Sequence, residues 1–355
     1  MQAAKLYGAQ DIRIENVAEQ AEPGPGQALI AITSVGICGS DLHTYEDGRI
    51  GSTNVTSPVI LGHEFAAEVL AVGPEAHSGL HTPLQPGQRV AVEPTISCWR
   101  CEMCEKGHPN LCPNHYFLGL WPHDGALQER MIIEARNCFP LPDTISNATG
   151  VLLEPLGVAI HAVDLGNLKI ANSVVVLGCG PIGLMIIKLA QMAGAAPIYA
   201  FDKFDWRIEK AKEWGATAAW QIDDQSIERI HDLTDGRGVD VVFEAAWAAE
   251  AVQQAAEMAR LGGRLALVGI PGSDSFAMKH SIARRKGLTI MMVRRMKHTY
   301  PRAMQLATMQ PPVMDLEDLV SHRFPLSDAN EAYALNTAYA PGVHKIIIDV
   351  QPENN

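Results

Sequence analysis

Ser173-Val174-Val175-Val176-Leu177-Gly178-Cys179-Gly180-Pro181-Ile182-Gly183 is the stretch on which the reading of this chain turns. A short β-branched run ends at Gly178, a helical pattern follows from Pro181 to Ala193, and a strand pattern runs from Pro197 to Asp202. Gly-x-Gly-x-x-Gly between a strand and a helix answers three physical needs. Gly178 permits the tight turn, Gly180 lets backbone approach a pyrophosphate, and Gly183 lets the helix pack on the strand. The helix N-terminus, with Pro181 and Ile182 in its first turn, then turns unpaired N–H groups and a positive dipole end toward phosphate. Asp202 closes the second strand nineteen positions after Gly183, the placement of a ribose partner. Its carboxylate would take both ribose hydroxyls and repel a 2′-phosphate, which favours NAD over NADP. Lys203 and Arg207 are nearby cations that pull the other way. The bland alternative is a glycine turn in an α/β domain that binds no phosphate; strand, helix, spacing and acid together argue against it.

Outward from this stretch the alternation continues. A helix is expected over Asp205 to Trp214, a strand over Val239 to Phe243, a helix over Ala248 to Arg260, a strand over Arg264 to Ile270 and another over Leu288 to Val293. Strand–helix–strand units of this length imply a doubly wound parallel sheet with helices on both faces. Residues 1 to about 150 differ in texture. Apolar runs such as 28–32, 66–72 and 89–92 are separated by Gly/Pro turns, which reads as β-rich. The chain closes on Lys345-Ile346-Ile347-Ile348-Asp349-Val350, another strand pattern. The expected fold class is α/β, with a doubly wound domain inserted in a β-rich domain built from both ends of the chain.

The chain has 355 residues, which at about 150 per domain agrees with two domains. Hydrophobic residues make up 47% and charged residues 19%, which excludes disordered and collagen-like classes. Net charge is −12, so the average surface repels a phosphate backbone and no nucleic-acid partner is expected. The N-terminus lacks the apolar core of an export signal, and the longest apolar stretch is broken by glycine and proline, so no membrane association is expected.

Seven cysteines is an odd number, and four of them, Cys98, Cys101, Cys104 and Cys112, crowd into fifteen residues. That suggests metal ligation in a reducing cytosol and a cytoplasmic location. A loop can wrap four thiolates around one tetrahedral ion with no position left for chemistry, the pattern of a structural zinc. A redox Cys-x-x-Cys explains two of the four, and iron–sulfur ligation is a further rival. A second group is dispersed: Cys38, His63-Glu64 and Glu154. One thiolate, one imidazole and one carboxylate can hold zinc and leave a position for water or substrate. Spacing alone does not unite them, since Cys38 also fits a small buried hydrophobe and His63-Glu64 a local pair.

Taken in order, Ile37-Cys38-Gly39-Ser40-Asp41-Leu42-His43, Gly62-His63-Glu64, the four-cysteine lobe, Glu154-Pro155-Leu156 and the glycine turn resemble the zinc-containing medium-chain dehydrogenase/reductase superfamily over essentially the whole chain. Within it, the sequence from Ile37 through Gly51 is most similar to the sorbitol (polyol) dehydrogenase branch. The resemblance implies a GroES-like catalytic domain over 1–154 plus 294–355, with a structural zinc lobe near 94–115, and a Rossmann NAD-binding domain over 155–293. It implies that Cys38, His63 and Glu64 hold a catalytic zinc, with Glu154 holding the bound water or entering the shell. Ser40 and His43 stand at the family's proton-relay positions. Gly178, Gly180, Pro181, Ile182, Gly183, Asp202, Lys203 and Arg207 are the implied coenzyme contacts, with Val268-Gly269-Ile270 and Val293-Arg294 along the nicotinamide. Thr44, Tyr45 and Arg295 are the implied substrate contacts, although Thr44 and Met296 stand where that branch has aromatic residues. The implied activity is oxidation of a secondary hydroxyl of a polyol or related alcohol to a ketone, with zinc and NAD, by a homo-oligomer, a tetramer in that branch. The alternatives are a threonine, 2,3-butanediol or general secondary alcohol dehydrogenase, or a nucleotide-binding sensor that has lost its chemistry.

Overall fold

The computed structural model describes residues 1–351 except 247, 273–274 and 311. The chain forms two compact units, Met1–Pro155 with Lys297–Asn355, and Leu156–Met296.

The first unit is organised by β1 (Gln27–Gly36), a long apolar strand at the centre of a seven-stranded sheet. Along one edge β1 pairs antiparallel with β2 (Glu64–Val72), which continues to β3 (Arg89–Val92). The other edge is divided. Residues 27–31 pair with β4 (Arg130–Glu134) and residues 34–36 with β5 (Lys345–Asp349), the last strand of the chain. The C-terminal segment thereby completes the N-terminal sheet. Immediately after β1 comes α1 (Gly39–Asp47), with Cys38 as its N-cap residue. The register places Gly36 opposite Glu64, so the end of β1 and the start of β2 lie side by side. A side chain at Gly36 would stand 2.5 Å from a Glu64 carboxylate oxygen, so glycine is required there.

A twenty-residue helix, α2 (Asn147–Gly166), passes from the first unit to the second and carries Pro155 within it. It is long and apolar enough to cross a membrane, but 72% of its most apolar window is buried inside the protein, as in a core helix.

The second unit holds a six-stranded parallel sheet. Its strands are β6 (Val174–Leu177), β7 (Ile198–Asp202), β8 (Ala218–Gln221), β9 (Val239–Glu244), β10 (Ala259–Leu267) and β11 (Thr289–Met292). Their spatial order is β8-β7-β6-β9-β10-β11, so the strand order reverses between β6 and β9. That reversal is where doubly wound sheets take their ligands. The helices α3 (Pro181–Met192) and α4 (Asp205–Glu213) fall within a residue of where the periodicity puts them, and α5 (Ala249–Met258) follows β9.

Two local expectations change. The helix expected to reach Arg260 stops at Met258, and the following strand starts at Ala259 rather than Arg264. Ala259 pairs with Val239 and Arg264 with Val241, so the residues between form a bulge. Gly238, at φ +78°, lies so close to the Met258 carbonyl that the chain turns into the sheet there. The basic run Arg284-Arg285-Lys286 is the last turn of a helix, His280–Lys286. Lys286 Nζ caps the end of α5 by donating to the carbonyls of Ala256, Glu257 and Ala259.

Candidate active site

In the first unit the turn from β1 into α1 and the first residue of β2 place Cys38, Ser40, Asp41, His63 and Glu64 together. Cys38 N–H donates to Asp41 Oδ2 at 3.1 Å, a local cap that fixes the start of α1. His63 is buried, and its Nδ1 lies 3.2 Å from Asp41 Oδ1. Its Nε2 lies 3.3 Å from Ser40 Oγ, and the ring is also in hydrogen-bond contact with the Cys38 side chain. Burial alone would lower the His63 pKa; the charges of Asp41 and Cys38 outweigh it and raise the pKa well above the ordinary value. A carboxylate on Nδ1 fixes the tautomer and leaves Nε2 as a ligand atom, the arrangement that orients metal-binding histidines.

Two carboxylates lie near this group, in different electrical states. Glu64 is only 1% exposed, and its Oε2 lies 2.6 Å from Lys345 Nζ, itself 3% exposed. Lys345 Nζ also donates to the Ile37 carbonyl at 2.9 Å. Glu154 is buried on α2, and its pKa is pushed up to about 8, first by burial and then by Glu64 and Glu93, against the lowering effect of His63 and Lys345. A buried carboxylate in that state gains by meeting a cation. A thiol, an imidazole and a carboxylate are donor types that zinc takes; among the described residues, only the cysteine lobe gathers three or more such ligand atoms within 4.8 Å of one another.

The cysteine lobe is a separate cluster. The sulfurs of Cys98, Cys101, Cys104 and Cys112 all lie within 4.8 Å of one another. Cys98 and Cys112 are 3.4 Å apart and Cys101 and Cys112 3.8 Å, close to the ~3.8 Å edge of a tetrahedron with Zn–S bonds of about 2.3 Å. Those separations are far longer than a disulfide bond. The Cys98 thiol is drawn down to about 6, chiefly by the Arg100 backbone, while burial pushes Cys104 up to about 12. One cation would satisfy all four sulfurs. His108 Nδ1 accepts from Lys297 Nζ at 3.0 Å, His115 engages the Cys112 carbonyl, and His123 packs on Tyr116. Cys138 and Cys179 are buried, with thiol pKa values raised by burial.

In the second unit the three glycines differ in what they touch. A Cβ at Gly178, which has φ +93°, would stand 2.6 Å from the Ala245 carbonyl, and one at Gly183 1.8 Å from the Gly178 carbonyl. Both are forced by packing. A Cβ at Gly180, the N-cap of α3, would meet only Arg207 Nη1, at 3.9 Å. That open face is the space a side chain would close to a pyrophosphate. Asp202 accepts from Cys179 N–H at 2.7 Å through Oδ2 and from Phe204 N–H at 3.1 Å through Oδ1, and Arg207 stands 3.8 Å away. Each carboxylate oxygen therefore keeps a lone pair for a ribose hydroxyl. The donors fit a dinucleotide.

Residues 24–143 match the alcohol dehydrogenase GroES-like domain family, and residues 181–309 match the zinc-binding dehydrogenase family. The chain belongs to the zinc-binding alcohol dehydrogenase family. It is 36% identical to sorbitol dehydrogenase of Bacillus subtilis (strain 168) over 333 residues, covering 94% of this chain and 92% of that one. With human (Homo sapiens) sorbitol dehydrogenase it shares 37% identity over 331 residues, 92% of this chain and 90% of that one. Among solved structures, 2R,3R-butanediol dehydrogenase of Bacillus subtilis superposes with a TM-score of 0.84 at 31% identity, covering 99% of each chain.

The remaining site candidates of this zinc-dependent dehydrogenase fall as follows. His43 is buried in α1. Thr44 is also buried, and its hydroxyl donates to the Ser40 carbonyl within the helix. The Tyr45 hydroxyl reaches Asn330, and its ring packs on Tyr333, with centroids 5.3 Å apart. The Tyr45 contacts tie α1 to Asn330 and Tyr333, while the Thr44 bond stays within the helix. Lys203 is exposed, Val268, Gly269 and Val293 are half-buried, and Ile270 and Arg294 are exposed. Arg295 has a left-handed backbone at φ +56°, and Met296 is buried. Sequence reasoning missed three residues: Asp41, which holds His63; Lys345, which pairs with Glu64; and Glu244, buried at the end of β9. Only Asp41 carried a signal, an acid three residues after a cap position.

Proposed function

We propose that Cys38, His63 and Glu154 hold the catalytic zinc and that the enzyme oxidises a secondary hydroxyl of a polyol to a ketone with NAD. The observation that carries the assignment is the contact of Cys38 with His63, whose Nδ1 is already held by Asp41, beside a buried carboxylate to which no cation is bonded among the described residues. Zinc bound there supplies Lewis-acid polarisation of the substrate hydroxyl, and bound NAD supplies the hydride acceptor. The protein's own groups do the rest. Asp41 keeps the imidazole in one tautomer. Lys345 neutralises Glu64, which thereby stands behind the donor set rather than in it. Ser40, 3.3 Å from His63 Nε2, is placed to take the substrate proton, with His43 next in the relay. Asp202 accepts the adenosine ribose hydroxyls, with Arg207 and Lys203 beside it and the α3 N-terminus behind Gly180 facing the pyrophosphate. Residues 268–270 and 293–294 back the nicotinamide, and Arg295 binds neighbouring substrate hydroxyls. Cys98, Cys101, Cys104 and Cys112 hold the structural zinc. In this reading residues 1–154 with 294–355 are the catalytic domain and 155–293 the coenzyme domain.

The likeness to a 2R,3R-butanediol dehydrogenase favours a second reading, a small vicinal diol as substrate. Initial rates of NAD reduction with sorbitol, xylitol, 2,3-butanediol and threonine separate the two. The site assignment is tested by Cys38→Ser with zinc content and turnover measured together; retained zinc with native turnover overturns it. A tetramer is supported by the resemblance and by the edge strand β11, whose Met292 is exposed and whose outer backbone is open for pairing. Light scattering of the purified enzyme tests it. Seven free cysteines support a cytoplasmic location.

A further inference from the structure

Glu244 is the last residue of β9, in register between Leu177 of β6 and Leu267 of β10. It stands beside the glycine turn, on the far side of the strand-order reversal from Asp202. It is only 3% exposed, and among the described residues no cation pairs with it. Its polar partners are peptide groups. Ala246 N–H donates to Glu244 Oε1 at 2.9 Å, and Gly269 N–H also bonds to the carboxylate. The Glu244 carbonyl accepts from Val268 N–H at 2.7 Å and from Gly269 N–H at 3.0 Å. A Cβ at Gly269 would stand 2.5 Å from Glu244 Oε1 and 2.0 Å from the Ala246 carbonyl, and a Cβ at Gly178 would stand 2.6 Å from the Ala245 carbonyl. Three backbone turns, at 178, 245–246 and 268–269, therefore meet around one carboxylate. The other walls around it are apolar: Val252, Leu267, Phe276 and Met292.

A doubly wound sheet binds a dinucleotide across the reversal, one mononucleotide on each half. Asp202 and the glycine turn mark the adenosine half, so the ends of β9 and β10 back the nicotinamide half. We propose that Glu244 is a positioning residue for this half: its carboxylate fixes the turns 245–246 and 268–269, and its charge favours the cationic oxidised ring over the neutral reduced one. An anion in an apolar surround acts on a nearby cation with little screening, and on a neutral ring hardly at all. Burial pushes the Glu244 acid up to about 7, so the charge is present, at least in part, at neutral pH.

The inference rests on the dinucleotide reading of this unit, and the experiment separates the two. Dissociation constants for NAD+ and NADH are measured at pH 8 by calorimetry on the full-length zinc-loaded enzyme, its Glu244→Gln variant and its Glu244→Asp variant, with melting curves alongside. The Gln variant is expected to bind NAD+ about tenfold more weakly and NADH less than about threefold more weakly, at a melting temperature no lower than native. The Asp variant keeps the charge and shortens the brace, so both affinities fall and their ratio stays native. Equal weakening of both coenzymes by Gln assigns Glu244 a structural role alone and overturns the proposal, as does no change. If the Gln variant does not fold, the Asp variant decides, and a shifted ratio there overturns the proposal. Failure of the native enzyme to bind either coenzyme overturns the dinucleotide reading itself, and this inference with it.

Discussion

Replacing Lys345 with methionine removes the partner of a carboxylate that has no access to water. The ammonium lies 2.6 Å from Glu64 Oε2 and 2.9 Å from the Ile37 carbonyl, with side-chain exposures of 3% for Lys345 and 1% for Glu64. Burial by itself would lower the Lys345 pKa; Glu64 and Cys38 reverse the effect and raise it. With Met at 345 the side chain keeps most of its volume, so packing changes little and the loss is electrostatic. Breaking a buried pair by deleting one partner costs about 3–5 kcal/mol. In a unit of about 200 residues, each kcal/mol moves the melting temperature by roughly 2–4 °C, so a fall of at least about 6–12 °C is expected. The double variant, Lys345→Met with Glu64→Gln, holds no charge at either position. It should recover more than half of that fall, because an uncharged pair of similar volume leaves no ion stranded. Scanning calorimetry of the native enzyme and the single and double variants tests this. A single variant that melts with the native enzyme, or a double variant no more stable than the single, refutes the argument that Lys345 exists to neutralise Glu64.

Cys104→Ser should cost the structural zinc and lower the melting temperature of the first unit by about 5 °C or more, while NAD affinity, a property of the second unit, stays native; metal analysis with calorimetry reads both. Asp202→Asn removes the charge but keeps an acceptor for the Cys179 N–H, so KM for NAD should rise about tenfold while the disadvantage of NADP shrinks. An unchanged coenzyme preference in steady-state rates would count against the ribose role. Glu244 gives a pH dependence with a definite sign. Its folded pKa of about 7 lies above the unfolded value near 4.5, so its contribution is fully present below about pH 4.5 and is lost as pH rises through 7, by about 3 kcal/mol. Urea midpoints between pH 5 and 8 should decline in the native enzyme and decline less in Glu244→Gln.

Much of this was legible because some chemistry leaves marks at short range. Gly178 and Gly183 are glycines because a neighbouring carbonyl occupies the space of a side chain, and that need recurs wherever a strand turns into a phosphate-binding helix. The four-cysteine lobe is legible because one loop supplies every ligand. Lys345 was not legible, since it meets Glu64 across 281 residues of sequence and sits at the start of an apolar strand that reads as core. Glu244 carries no motif; its importance lies in the turns that converge on it. Tyr45 shows the reach of a helical turn. It adjoins Ser40 and His43 in sequence, and the helical turn carries it round to Asn330 and Tyr333, where it packs and hydrogen-bonds. The early end of the helix at Met258 was hidden because Ala259 and Arg260 are good helix formers, and what stops them is the close approach of Gly238 from elsewhere in the sheet.

The buried charges of the first unit sort by partner, and the sorting carries the functional argument. Asp41 faces the His63 Nδ1 and Glu64 faces Lys345, so each of these carboxylates has its positive or donating neighbour within about 3 Å. Among the described residues Glu154 has none bonded to it; burial pushes its acid up to about 8, and Glu64 and Glu93 add to the shift against His63 and Lys345. Burial without a bonded cation disfavours the charged form of such a group. A divalent ion changes the sign of the problem. One thiolate and one carboxylate balance its two charges, and the imidazole completes the set without adding any. Were Glu64 to join as well, the set would carry a surplus negative charge and Lys345 would lose its buried partner. In the proposed donor set, the lysine contributed by the last strand holds Glu64 and leaves Glu154 for the metal.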